Sequence, residues 1–438
     1  MNKRDSFQSK VGFILACVGS AVGMANIWLF PYRVAQYGGA AFLIPYFIFI
    51  VLIGLVGVAG EMAFGRATQS GPLGAFKKAV ELRCGKGKLG ELIGLIPTLG
   101  SLALAIGYSV VVGWIIRYMV GSFTGTAFLG DSGEYFGALC GDFGSWPWHM
   151  IALLIAFVLM IFGIANGIEK VNKIMMPLFF CLFLVLAVVV SFLDGSAEGY
   201  AYLMKPDWVQ LANPKTWVYA LGQAFFSLSL AGSGTLVYGS YLKPSEDVVS
   251  CARNVAIFDS IASILAALVV IPSVFAFGLD LNSGPGLMFI TMPKVFQMMP
   301  LGRLVMIVFF VAVFFAGITS LINLFESPVE AIQNKFQVSR TAAVAIVAVV
   351  AVAVGLVIEN GDMVSTWMDI VSIYIIPMGA LLAAIMFFWV CPKGYAQEQV
   401  QIGHKKPLKK WFTINSRYIF VGTTIIVYIL GVIYGGIG

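Results

Sequence analysis

Gly19-Ser20-Ala21-Val22-Gly23-Met24-Ala25-Asn26 lies in the middle of the first long apolar segment. Two glycines, a serine and an asparagine are poor choices for a helix that faces only lipid. A backbone that leaves the helix there must satisfy its N–H and C=O groups with protein, ions or ligand. Half-helix ends at bilayer depth can bind ions and charged solutes. The break therefore points to transport.

Apolar runs of spanning length recur along all 438 residues, at about 11–36, 40–64, 89–122, 147–165, 172–193, 214–240, 253–278, 302–334, 341–358, 363–391 and 416–435. Hydrophobic residues make up 60% and charged residues 11%, well below the charge of a soluble domain. The expectation is an all-α membrane protein of one domain, 1–438, with eleven transmembrane helices. Ser227-Leu228-Ser229-Leu230-Ala231-Gly232-Ser233-Gly234 interrupts the sixth span as the first stretch interrupts the first. Matching breaks five spans apart suggest a 5+5 inverted repeat, 11–193 and 214–391, with 416–435 as an added helix. Glycine patches also serve close helix packing. Two patches in corresponding spans, flanked by Asn26 and Ser227, favour broken helices.

With the N-terminus inside, 21 of the 27 Lys and Arg residues fall in cytoplasmic stretches. The positive-inside rule thus sets the orientation and places the C-terminus outside. The net charge of +6 is a topology signal, and nucleic-acid binding has no support. Six cysteines are scattered singly, and His149 and His404 lie at opposite ends of the topology, so no zinc set is visible. No phosphate-binding glycine loop suggests an ATP-driven pump, and no nucleophile motif suggests an enzyme. A channel with its filter at the broken helices remains the alternative, although filters are usually built by symmetric assembly.

Polar residues inside apolar spans mark function by default, and Asp259, Asn323, Thr319, Ser320, Glu326 and Asp369 are such residues. Asp259 has no basic residue within a helical turn, so it should bind a cation or carry a proton. Hydroxyls at Thr319 and Ser320 suit a small hard cation and exclude soft metals.

These stretches resemble the neurotransmitter:sodium symporter family, in its bacterial eleven-span branch of tyrosine and hydrophobic amino-acid symporters. The resemblance rests on Gly19 to Trp28 with Phe30-Pro31, on Gly38-Gly39-Ala40-Ala41-Phe42, on Gly65-Arg66, on Gly222 to Ser229 and on Ala316 to Ser320. It implies two sodium sites: the first from Ala21, Asn26, Ser227 and Asp259, the second from Gly19, Val22, Ala316, Thr319 and Ser320. Many members carry asparagine where Asp259 stands and need chloride at the position of Ser263; fixed charge here implies no chloride requirement. Gly167 and Pro177 match a motif that lets the fifth helix unwind towards a sodium site.

Gly23 stands where monoamine carriers have an aspartate, which implies an amino acid as substrate. Its carboxylate would meet N–H groups near Gly23 and the Tyr108 hydroxyl, and its ammonium the carbonyls around Ala21, Phe226 and Ser229. Met24, Leu104 and Leu324 keep the pocket apolar, Gly232 enlarges it, Phe226 covers it, and Ser227 adjoins it. Asn323 would reach a polar tip or make an interhelical packing bond. Tyrosine, or another aromatic or bulky aliphatic amino acid, fits, with a sodium symporter of another amine or amino-acid class as the alternative. The expected gates are Arg4, Phe7, Ser240, Tyr241 and Glu330 inside, and Arg33 with Asp369 outside. The expected setting is the bacterial cytoplasmic membrane, with the lipid bilayer and the amino acid as partners and a homodimer left open.

Overall fold

A computed structural model describes residues 5–230, 233–280 and 286–437. Every described regular element is helical. The first segment splits into α1 (Lys10–Ala21) and α2 (Ala25–Gln36), bent by 59° at the break. Val22 ends α1 in an extended conformation, φ −73° and ψ 104°. There follow α3 (Ala40–Thr68), α4 (Lys88–Thr124), α5 (Trp146–Ile161) and α6 (Ile164–Ser191). The sixth segment divides into α7 (Pro214–Ser227) and α8 (Gly234–Gly239). Ser229 and Ser233 between them have φ of +56° and +52°. The chain continues through α9 (Val248–Ala276), α10 (Gly302–Phe336), α11 (Arg340–Val357), α12 (Gly361–Val390) and α13 (Lys410–Tyr434).

All eleven apolar segments are thus helical in whole or part. Among the described residues, eight helices are long and apolar enough to cross a membrane unaided, and α1 with α2 adds a bent ninth. α5 is shorter, and the α7–α8 segment contains 231–232, outside the description.

Local chemistry sets the ends. Ser9 caps α1 by accepting from Gly12 N, Asp247 caps α9 through Ser250 N, and Ser339 caps α11 through Ala342 N. Each satisfies a helix-end donor that would otherwise lack a partner. Packing then sorts the helices. In the most apolar 18-residue stretch of α4 and of α10, 78% of residues are buried, against 28% in α6 and α11. α4 and α10 pack most extensively on each other, and the two breaks lie against them. The interior is therefore α1–α2, α4, α7–α8 and α10, with α6 and α11 on the periphery.

Candidate functional site

The bend after Ala21 frees carbonyls that a continuous helix would use. Thr319 Oγ1 lies 3.0 Å from Gly19 O, 2.8 Å from Phe315 O and 3.2 Å from Ala316 O. Ser320 Oγ lies 3.0 Å from Gly19 O and 3.1 Å from Val22 O. The five expected groups of the second sodium site, Gly19, Val22, Ala316, Thr319 and Ser320, are therefore brought together. Two hydroxyls carry one proton each and cannot serve all these carbonyls, so lone pairs converge. That oxygen set fits a small hard cation.

The other expected set gathers around Asp259, which is fully buried on α9. Asn26 Nδ2 donates to Asp259 Oδ1 at 2.7 Å and to Ser263 Oγ at 2.8 Å. Asn26 Oδ1 accepts from Gly23 N at 3.0 Å. The Tyr46 hydroxyl stands 3.5 Å from Asp259 Oδ2. Ser227 Oγ is buried near Asp259 and Tyr46, yet completes no hydrogen bond of good geometry. A buried carboxylate served by neutral donors is costly, and an unfilled oxygen beside it fits a cation. Ala21 lies at the same break and lines the adjoining cavity.

That cavity, of about 230 Å³, is walled by Ala21, Gly23, Met24, Leu104, Tyr108, Phe226, Ser229, Asn323 and Leu324. It is smaller than the roughly 300–1,000 Å³ of drug-sized sites, which suits one small solute. Met24 N donates to the Tyr108 hydroxyl at 3.3 Å. A Cβ on Gly23 would lie 3.1 Å from both Tyr108 Oη and Ser320 Oγ. An N–H, a phenol and bare backbone meet there, able to hold a carboxylate. Ser229 Oγ donates to Ser20 O at 2.7 Å and ties the two breaks together. Asn323 faces Gly234, with Nδ2 3.5 Å from its carbonyl, so a packing role accompanies its place in the wall. Gly232 and Arg4 lie outside the described residues.

Sequence reading missed part of this wall: Trp28, Leu29, Val111 and, from α12, Met368, Ser372 and Ile376. Nothing in α12 but Asp369 signalled contact with the site, because its lining residues are ordinary for a buried helix.

At the end of the bundle near the N-terminus Phe7 meets Phe13 and Tyr238 edge-on, and its N–H donates to Tyr241 O at 3.3 Å. The Tyr241 hydroxyl donates to Glu326 Oε1 at 2.7 Å, and Arg340 grips the same carboxylate through Nη1 and Nη2 at 2.9 and 2.7 Å. Glu326, fully buried, is thus the acid at the centre of this closure. Glu330, one turn further along α10, accepts from Ser70 Oγ at 3.3 Å and from the Asn334 amide. Ser240 Oγ donates to Val237 O at 2.6 Å. On the other side Arg33 does not pair with Asp369, which is exposed. Its guanidinium sits 3.9 Å above the Tyr219 ring and donates to Gln36. An aromatic face at this distance attracts the cation without a counter-charge. Gly167 lies in a widened first turn of α6, Ile164–Glu169, and Pro177 inside the same helix, so two irregular positions bracket its start.

A model of the Sodium:neurotransmitter symporter family matches residues 4–131 and 138–434. An uncharacterised sodium-dependent transporter of Bacillus subtilis is 35% identical over 74% of this chain and 71% of its own length. One of Methanocaldococcus jannaschii is 32% identical over 94% of this chain and 87% of its own. The crystal structure of MhsT in complex with L-phenylalanine superposes with a TM-score of 0.86 at 31% identity, covering 98% of this chain and 99% of that one.

Proposed function

The chain belongs to the Sodium:neurotransmitter symporter family, and on that premise we propose that it imports an aromatic or bulky hydrophobic L-amino acid, tyrosine foremost, with sodium and without chloride. The observation that carries this reading is the contact from Met24 N–H to the Tyr108 hydroxyl, beside the bare backbone of Gly23, at one end of a mostly apolar cavity. An amine without a carboxylate has no use for that end, and a charged side chain has no partner at the other. The relative crystallised with L-phenylalanine supports an aromatic substrate. Sodium use follows from the family and from the names of its relatives.

In this reading the first sodium is held by Ala21, Asn26, Ser227, Asp259 and the substrate carboxylate. The second is held by Gly19, Val22, Ala316, Thr319 and Ser320. A shared carboxylate makes coupling reciprocal: each solute raises the other's affinity. Asp259 supplies the negative charge that other members take from chloride, and it is free to take up a proton on the empty return. Phe226 closes over the substrate from the outside. The closure of Phe7, Tyr241, Glu326 and Arg340 must open to release it, helped by unwinding at Gly167 and Pro177; Arg4 and Glu330 are proposed to join it. The membrane potential favours sodium entry by about 2.3 kcal/mol per charge per 100 mV. The family and the apolar helices make this a multi-pass membrane protein. We further assign eleven spans in a 5+5 inverted repeat plus one, an inside N-terminus, an outside C-terminus and the bacterial plasma membrane; a homodimer is compatible with this arrangement.

The test is binding of radiolabelled tyrosine to purified protein in sodium against potassium, with leucine, tryptophan and glutamate as competitors. Sodium-dependent binding displaced by tryptophan or leucine but not glutamate supports the proposal. Binding of none of them in sodium removes it.

A further inference from the structure

One buried polar cluster takes no part in the transport site. Ser109 follows Tyr108 on α4, and its Oγ lies 2.8 Å from Nε2 of His149, at the start of α5. His149 Nδ1 lies 2.7 Å from Glu359 Oε2, between α11 and α12. Ser145 Oγ donates to the other carboxylate oxygen at 2.6 Å. His149 is fully buried and Glu359 is 4% exposed. A carboxylate only accepts, so Nδ1 carries the proton facing it and the ring orientation is set.

The node is built rather than incidental. A Cβ on Gly113 of α4 would stand 2.7 Å from His149 N, and one on Gly355 of α11 would stand 2.5 Å from His149 Cε1. α11 thus gives up a side chain to admit the imidazole, and α4 one to admit the backbone that carries it. The cluster pins α4 to the entrance of α5 and the end of α11, next to the residue whose phenol meets the break. Trp367 Nε1 holds the same helix from α12 by donating to Ala103 O at 2.7 Å. A helix moves as a rigid rod over one turn, so sliding or rotation at Ser109 carries Tyr108 with it. The contact from Met24 N to the Tyr108 hydroxyl is already 3.3 Å, and hydrogen bonds weaken steeply beyond that.

We propose that His149, oriented by Glu359 and Ser145, is a positioning residue that acts through Ser109 to hold the Tyr108 hydroxyl at the substrate carboxylate. The proposal rests on the reading of Tyr108 as a carboxylate contact. A double-mutant cycle tests it, with L-phenylalanine affinity measured at saturating sodium on the purified full chain and thermal unfolding as the folding check. Tyr108→Phe is expected to weaken binding about tenfold. His149→Leu should weaken it by a similar factor, and the double variant no more than Tyr108→Phe alone, because both remove one function. His149→Gln, which keeps a donor and an acceptor, should restore most of the affinity. If His149→Leu does not fold, Ser109→Ala replaces it in the same cycle. Wild-type affinity in the His149 or Ser109 variant, or losses that multiply in the double variant, overturns the proposal. Wild-type affinity in Tyr108→Phe would instead remove the carboxylate reading, and this inference with it.

Discussion

The two cation sites proposed on either side of the first break are made of different material. Around Gly19 the oxygens are backbone carbonyls, the Thr319 and Ser320 hydroxyls and the Asn172 amide oxygen, none of them charged. Around Asn26 a buried carboxylate dominates, and an amide and hydroxyls serve it. The neutral site can exist only where backbone leaves the helix, so its affinity depends on the shape of the break and on α10 staying close. The charged site carries its own negative charge and tolerates looser shape. A neutral cage should therefore be the one that movement of α1 or α6 opens. The charged cage should be the one that senses what else is ionised nearby, including the substrate.

The largest effect should follow removal of the charge. Asp259→Asn is expected to lower sodium-dependent amino-acid binding about a hundredfold in chloride-free buffer, with recovery when chloride is added. Binding unchanged in chloride-free medium would show that the two sites do not differ in this way. Thr319→Val keeps shape and removes one oxygen from the neutral cage. Titration of binding with sodium should show the half-saturating concentration raised about tenfold; an unaltered midpoint would take Thr319 out of the site. Ser227→Ala, in the charged cage, should raise it only about threefold, since the carboxylate remains. A shift as large as that of Thr319→Val would make shape as important there as in the neutral cage. Replacing chloride by gluconate around the wild-type protein is expected to leave uptake unchanged, and a loss would assign the charge of Asp259 to another role.

The same contrast explains what could be read from the sequence. A carboxylate inside an apolar span is visible by itself, as Asp259 and Glu326 were. The neutral cage was visible only because Gly19 to Asn26 is an implausible lipid-facing helix and because Thr319-Ser320 puts two hydroxyls together. The apolar segments were legible because each is long and bounded by polar residues, and Ser9, Asp247 and Ser339 mark helix starts by their type. Pairings across the fold were less legible. Arg33 looked for an acid and met the Tyr219 ring, since a ring face leaves no charge signal in the sequence. Glu326 found Arg340 on the following helix, a pair that spacing alone does not single out. Ser372 and Met368 reach the cavity from a helix read only for its acid. His149 looked solitary because Ser109 and Glu359 are 40 and 210 residues away from it.

Sodium is proposed to drive the uptake of a hydrophobic amino acid. The most direct measurement is uptake of labelled L-tyrosine and L-phenylalanine into proteoliposomes under an inward sodium gradient, with choline or potassium replacing sodium in parallel. The expected result is saturable accumulation above the external concentration in sodium alone, abolished when the gradient is collapsed. Equal uptake in sodium and choline, or none of either amino acid under the gradient, would contradict it.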